Sequence, residues 1–137
     1  MTTICEEISI DVPAAFAWDK LKDVSRTHEL FAGVLVASSL GDDIRTVTFA
    51  NGSVVQERIV GIADDLKRVA YTVLGGRFEH HAASMQIEAI DADRCRFIWI
   101  SDFLPDSRAE TVRPLMSLGC AALKRVLEQD DRNRSQI

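Results

Sequence analysis

The stretch Ile44–Gly76, IRTVTFANGSVVQERIVGIADDLKRVAYTVLGG, decides how the chain folds. Two β-rich segments, Ile44–Ala50 and Ser53–Ala63, flank Asn51-Gly52, the strongest short signal for a β-hairpin. Asp64-Asp65 marks the next turn, Arg68–Leu74 reads as a further strand, and Gly75-Gly76 ends it. Within Ser53–Ala63 a period of two puts Val55, Glu57 and Ile59 on one face and Gln56 and Arg58 on the other. The first face is mostly apolar and is therefore the inner one. Glu57 is then a carboxylate on a buried surface, and such a group needs a partner or a wet cavity. Arg45 on the preceding strand is placed to pair with it across the hairpin. The functional alternative is a polar anchor for a ligand, or an acid/base group with a raised pKa.

Upstream, Ile4–Ile10 reads as a short strand. Asp11 is the expected cap, and Pro13 the first-turn residue, of a helix over Ala14–Lys22 that shows Trp18 and Leu21 on one face. Ser25 is the expected cap of a second short helix reaching about Phe31, closed by Gly33. Val34–Leu40 leads into the quoted stretch as a strand, and Ala82–Ile90 and Cys95–Ser101 follow it. Strands in such close succession imply an antiparallel meander. The last element is a helix over about 108–128, striped by Val112, Leu115, Met116, Gly119, Cys120, Leu123, Val126 and Leu127. Ser107 and Glu110 have capping-box spacing. Pro114 would lie inside that helix and remove a backbone bond. Either the helix kinks near Pro114 or it starts at Thr111, and an early start with a kink is the expectation. About 129–137 reads as a polar, frayed tail.

The chain has 137 residues, 47% of them apolar and 27% charged, which fits one globular domain over 1–137. No apolar run approaches the roughly 18 residues of a membrane span. The N-terminus has neither the basic region nor the apolar core of a secretory leader. Three scattered cysteines form no disulfide framework and no zinc pattern, so a reduced, cytoplasmic protein is expected. A net charge of −5 without a basic run argues against nucleic acid and anionic membranes as partners.

The element order resembles the START-like superfamily, also called SRPBCC, which includes the birch pollen allergen, plant abscisic acid receptors, aromatic polyketide cyclases and lipid-transfer domains. The resemblance spans almost the whole chain. It is carried by Arg-Thr at 45–46, Glu-Arg at 57–58, the acidic turn, the tyrosine strand, the double glycine, and WISDFLP ahead of the last helix. It implies an α+β helix-grip fold of the single-domain bacterial type. A strongly curved antiparallel sheet of about seven strands would wrap a long C-terminal helix, with two short helices after the first strand. It also implies that Glu57 points into a cavity between sheet and helix. The receptors' long gating loop is absent, since only Asn51-Gly52 closes the hairpin, and their ligand-carboxylate lysine has no counterpart near Val34–Val36. A hormone-gated mechanism is therefore not expected.

His80 and His81 follow the double glycine. Adjacent strand residues point to opposite faces, so the pair cannot share one metal, and neither metal nor cofactor is expected. The parity of Met85 and Ile87 puts His81 and Ala83 inside and Ser84, Gln86 and Glu88 outside. Tyr71 reads as packing or as a donor to a ligand carbonyl. Both faces of Cys95–Ser101 are apolar, so its inner face stays open. Met116, Cys120 and Leu123 are core residues that would also lid a cavity. Cys120 lacks an activating neighbour for nucleophilic work.

The expected ligand-binding set is Val55, Glu57, Ile59, Tyr71, His81, Met85, Ile87, Met116, Cys120 and Leu123. The expected partner is a small apolar molecule or lipid, bound by a monomer or homodimer without membrane insertion. The competing reading is an enzyme like the polyketide cyclases and dehydratases, moving protons in the same cavity. An interaction module would need an apolar outer face, and the polar Gln56, Arg58, Ser84, Gln86 and Glu88 argue against one.

Overall fold

The computed structural model describes residues 1–135. Strand β1 (Thr2–Ile10) leads into helix α1 (Ala14–Leu21), a 3-10 turn (Val24–Arg26) and the single-turn helix α2 (Thr27–Leu30). Six strands follow: β2 (Leu35–Gly41), β3 (Ile44–Phe49), β4 (Val54–Ala63), β5 (Arg68–Val73), β6 (His80–Ala89) and β7 (Cys95–Leu104). A second 3-10 turn (Asp106–Arg108) precedes helix α3 (Ala109–Ser135). The strands form one antiparallel sheet in the order β1-β7-β6-β5-β4-β3-β2. Only β1 joins out of sequence, on the far edge beside β7. This is the helix-grip fold, with the curved sheet closed around α3.

Local chemistry accounts for most of the joints. The β3–β4 hairpin turns at Gly52, whose φ of +92° only glycine adopts freely, and the Asn51 carboxamide accepts from the Ser53 N–H. Gly75 takes φ +96° at the end of β5. A bulge between Ile59 and Gly61 lets Val60 out of the β4–β5 ladder. The core lies between the concave face and the helices. Ile10, Val12, Trp18 and Leu21 meet Val69, Ile87, Phe97, Leu123 and Leu127 there. A smaller cluster joins Ile4, Phe103 and Met116. Gly119 sits where α3 crosses the sheet. A Cβ at this position would stand 2.8 Å from the Trp99 ring, so glycine is what lets the indole reach the helix backbone.

The structure departs from the sequence expectations at several ends. Pro13, not Asp11, is the cap position of α1, and it makes no side-chain bond. The Asp11 N–H instead donates to Glu128 on α3 at 2.9 Å. Ser25 lies inside a 3-10 turn and donates to Asp23 rather than capping a helix. Ser107 likewise falls in the 3-10 turn ahead of α3. The early start of α3 is the one observed: 27 residues run from Ala109 through Pro114, on the exposed side, to Ser135. Much of the stretch expected to fray is helical, held in part by an Arg134–Asp131 ion pair at 2.5 Å. The other two residues of that stretch lie outside the described residues. Strand β6 starts at His80, earlier than expected, and β7 runs on to Leu104. The convex face is less polar than expected. Val60 is 65% exposed, and with Ala70, Ala82 and Ile100 it lines a shallow groove there.

Candidate ligand cavity

A cavity of about 220 Å³ lies between the concave sheet and the first turns of α3. Its apolar wall is built by Phe31, Val47, Phe49, Val55, Met85, Trp99 and Met116. Five polar side chains face it from the sheet: Arg45, Glu57, Tyr71, His81 and Ser101.

Arg45 and Glu57 are directly opposite in the β3–β4 register. The Nε and Nη2 of Arg45 both reach Oε1 of Glu57 at 2.8 Å, with side-chain exposures of 5% and 12%. Arg45 Nη1 also donates to the Val24 carbonyl at 3.3 Å, and its guanidinium lies 5.5 Å from the Tyr71 ring centre. Oε2 of Glu57 accepts no hydrogen bond from the described residues. Burial raises the Glu57 carboxyl above its ordinary range, and the arginine opposes this without overcoming it.

Tyr71 accepts a hydrogen bond from the Trp99 indole N–H at 3.0 Å. Its own proton is committed to no acceptor among the described residues. Burial, and then the Glu57 charge, push its pKa far up, so the phenol stays a donor. His81 Nδ1 accepts from the Val73 N–H at 3.0 Å, which places the ring proton of the neutral imidazole on Nε2. Nε2 faces the hydroxyl of Ser101, which is 2% exposed, at 3.5 Å. The ring is held by Phe78 at 4.9 Å and Tyr71 at 5.8 Å.

Burial first, and then the neighbouring His80, push His81 down to about 4. An unfolded histidine titrates near 6.5. Between those values the unfolded chain binds a proton that the folded chain does not, so stability falls as pH drops through this window and levels off below it. The full difference would be about 3 kcal/mol, which solvent screening of a partly exposed ring reduces to about 1–2 kcal/mol. Urea melts at pH 7 and pH 4 should show the His81→Gln variant losing that much less than the parent. Equal losses would clear His81 of the effect.

The wall includes Val55, Glu57, Tyr71, His81, Met85 and Met116 from the sequence-predicted set. Ile59, Ile87, Cys120 and Leu123 are not in it. They lie on the expected inner faces, but Ile87, Cys120 and Leu123 belong to the main core cluster and Ile59 packs against it, away from the cavity wall. Burial, and then Glu6, push the Cys120 thiol up to about 12, so it is not a thiolate. The open question about β7 is resolved: Phe97, Trp99 and Ser101 face inward. Sequence reasoning missed Phe31, Ser101, Phe78 and the two arginines Arg77 and Arg108, which also line the cavity. Only Phe78 carried a usable signal, as an apolar residue two positions after the double glycine. Among the described residues no three His, Cys, Asp or Glu side chains are grouped to hold a metal, and no helix is long and apolar enough to cross a membrane.

The family described as polyketide cyclase/dehydrase and lipid transport matches residues 1–130. No curated protein matches the sequence. Among solved structures, an uncharacterized protein from Bacillus thuringiensis superimposes with a TM-score of 0.83 at 15% identity, covering 92% of this chain and 98% of its own. The Zhui aromatase/cyclase from Streptomyces sp. R1128 gives a TM-score of 0.73 at 17% identity, covering 96% and 94%. Norcoclaurine synthase from Thalictrum flavum, in complex with dopamine and hydroxybenzaldehyde, gives 0.74 at 15% identity, covering 96% and 87%. At these identities the likeness is one of fold.

Proposed function

We propose, for a chain that belongs to the polyketide cyclase/dehydrase and lipid transport family, that the cavity binds a small apolar molecule or lipid and orients it through Glu57. One observation carries this reading. On the cavity wall, the Oε2 of Glu57, which keeps accessible surface, and the proton of Tyr71 have no partner among the described residues. A ligand hydroxyl would donate to the first and a ligand carbonyl would accept from the second. Apolar walls with a few aimed polar groups are the usual build of a small-molecule site. His81 would add a neutral donor beside them.

The test uses 2-naphthol, an apolar body with one hydroxyl, followed by the fluorescence of the cavity-lining Trp99. Glu57→Gln should weaken its binding about ten-fold, the loss of one charge-assisted hydrogen bond. Thermal melts report the other role of the residue, the ion pair with Arg45, as a loss of about 1–3 kcal/mol. A variant that melts earlier but binds 2-naphthol like the parent would reduce Glu57 to a structural partner of Arg45. Native mass spectrometry of freshly purified protein, set against a solvent-extracted sample, would show what occupies the cavity in cells.

A further inference from the structure

We infer that the mouth of the cavity is a site for the anionic head of an amphiphile, held between Arg77 and Arg108. This rests on the cavity being a binding site and adds the chemical class of its occupant. Arg77 comes from the β5–β6 loop and Arg108 from the turn ahead of α3, and both line the cavity. Phe78 connects them: it follows Arg77 in sequence, and the Arg108 guanidinium lies 6.0 Å from its ring centre. Neither arginine makes an ion pair among the described residues, whereas Arg45, which also lines the cavity, does. The one hydrogen bond of Arg77 among the described residues is a long one, 3.4 Å to the Val54 carbonyl. In a chain of net charge −5, two guanidiniums that line one cavity without an ion pair, Arg77 exposed and Arg108 half-buried, are a local reversal of sign.

The polarity of the cavity orders the ligand from end to end. Beyond the rim the wall is mostly apolar, and the charges reached deeper in, Arg45 and Glu57, are already paired with each other. An anion that entered far would lose water and find the Arg45 guanidinium already engaged by Glu57. It can stay at the rim, where guanidinium groups match carboxylate and phosphate geometry and water remains nearby. The occupant is therefore an apolar body with one anionic end, lying head outward. A free acyl carboxylate and a phosphate-linked chain share this chemistry.

Calorimetric titrations of the whole protein with decanoate, decyl phosphate and decanol separate the possibilities, each below its aggregation concentration. At least one anionic compound should bind about ten-fold or more tightly than decanol, and high salt should weaken it alone. Which anion prefers the site tells a carboxylate head from a phosphate head. In the double variant Arg77→Gln, Arg108→Gln that preference over decanol should vanish. Equal binding of all three compounds, or an unaltered preference in the double variant, would overturn the inference and leave the apolar cavity standing. If folded protein binds none of the three, the binding cavity itself falls, and the anion site with it.

Discussion

Arg45→Met will cost about 3–5 kcal/mol of stability at neutral pH, because it leaves the Glu57 carboxylate buried without its partner. Both nitrogens that hold Glu57 belong to Arg45, and Arg45 itself is only 4% exposed. Methionine keeps much of the length of the arginine stem, so the loss is mainly one of charge. The effect carries a pH signature. Burial already raises the folded pKa of Glu57, and removing the guanidinium raises it further. A carboxyl with a raised folded pKa contributes stability that is fully present below the unfolded value, near 4.3, and lost as pH rises through the folded one. Chemical denaturation should therefore show a small deficit near pH 4 that grows toward neutrality. Adding Glu57→Gln to Arg45→Met should recover most of it. A deficit that is the same at both pH values, and is not rescued by the second change, would assign Arg45 to packing and to its bond with the Val24 carbonyl.

Leu123→Ala will cost about 2–5 kcal/mol, the range for a buried leucine whose surroundings relax only in part. Leu123 is fully buried in the main core cluster beside Phe97 and Leu127, and it does not reach the cavity. Its loss should lower the melting temperature and leave the affinity for 2-naphthol within about two-fold, well under the ten-fold expected of a lost polar contact. Weakened binding in a variant that is still folded would place this part of α3 in the binding wall after all.

The two residues mark how far the chain could be read. The pair Arg45–Glu57 was legible because it depends on two local facts: a period of two along β4 and a hairpin short enough to fix the β3–β4 register. The inner positions of β6, with His81, Ala83, Met85 and Ile87, followed from the same alternation. Leu123, Cys120, Ile87 and Ile59 were placed on the correct faces but at the wrong depth. Periodicity tells which side of an element is buried. It does not tell whether another element fills the space opposite, and here the gap is confined to one end of α3. Trp99 shows the same limit from the other side. Both faces of β7 are apolar in sequence, and only its register between β1 and β6 aims the indole at Tyr71 and Gly119.

The sequence alone determined the order of the elements, the antiparallel meander, the apolar stripe of the last helix and the one carboxylate that faces inward. These are consequences of local period, turn chemistry and short connections, which act within a few residues of chain. Tertiary structure alone decided where the cavity lies, which inner residues reach it, and that Arg108 meets Phe78 on its wall, with Arg77 on the same wall. Those contacts join the β5–β6 loop to the start of α3. Residues so far apart in sequence meet only when the whole sheet has curved around the helix, and no periodicity within either segment encodes that curvature.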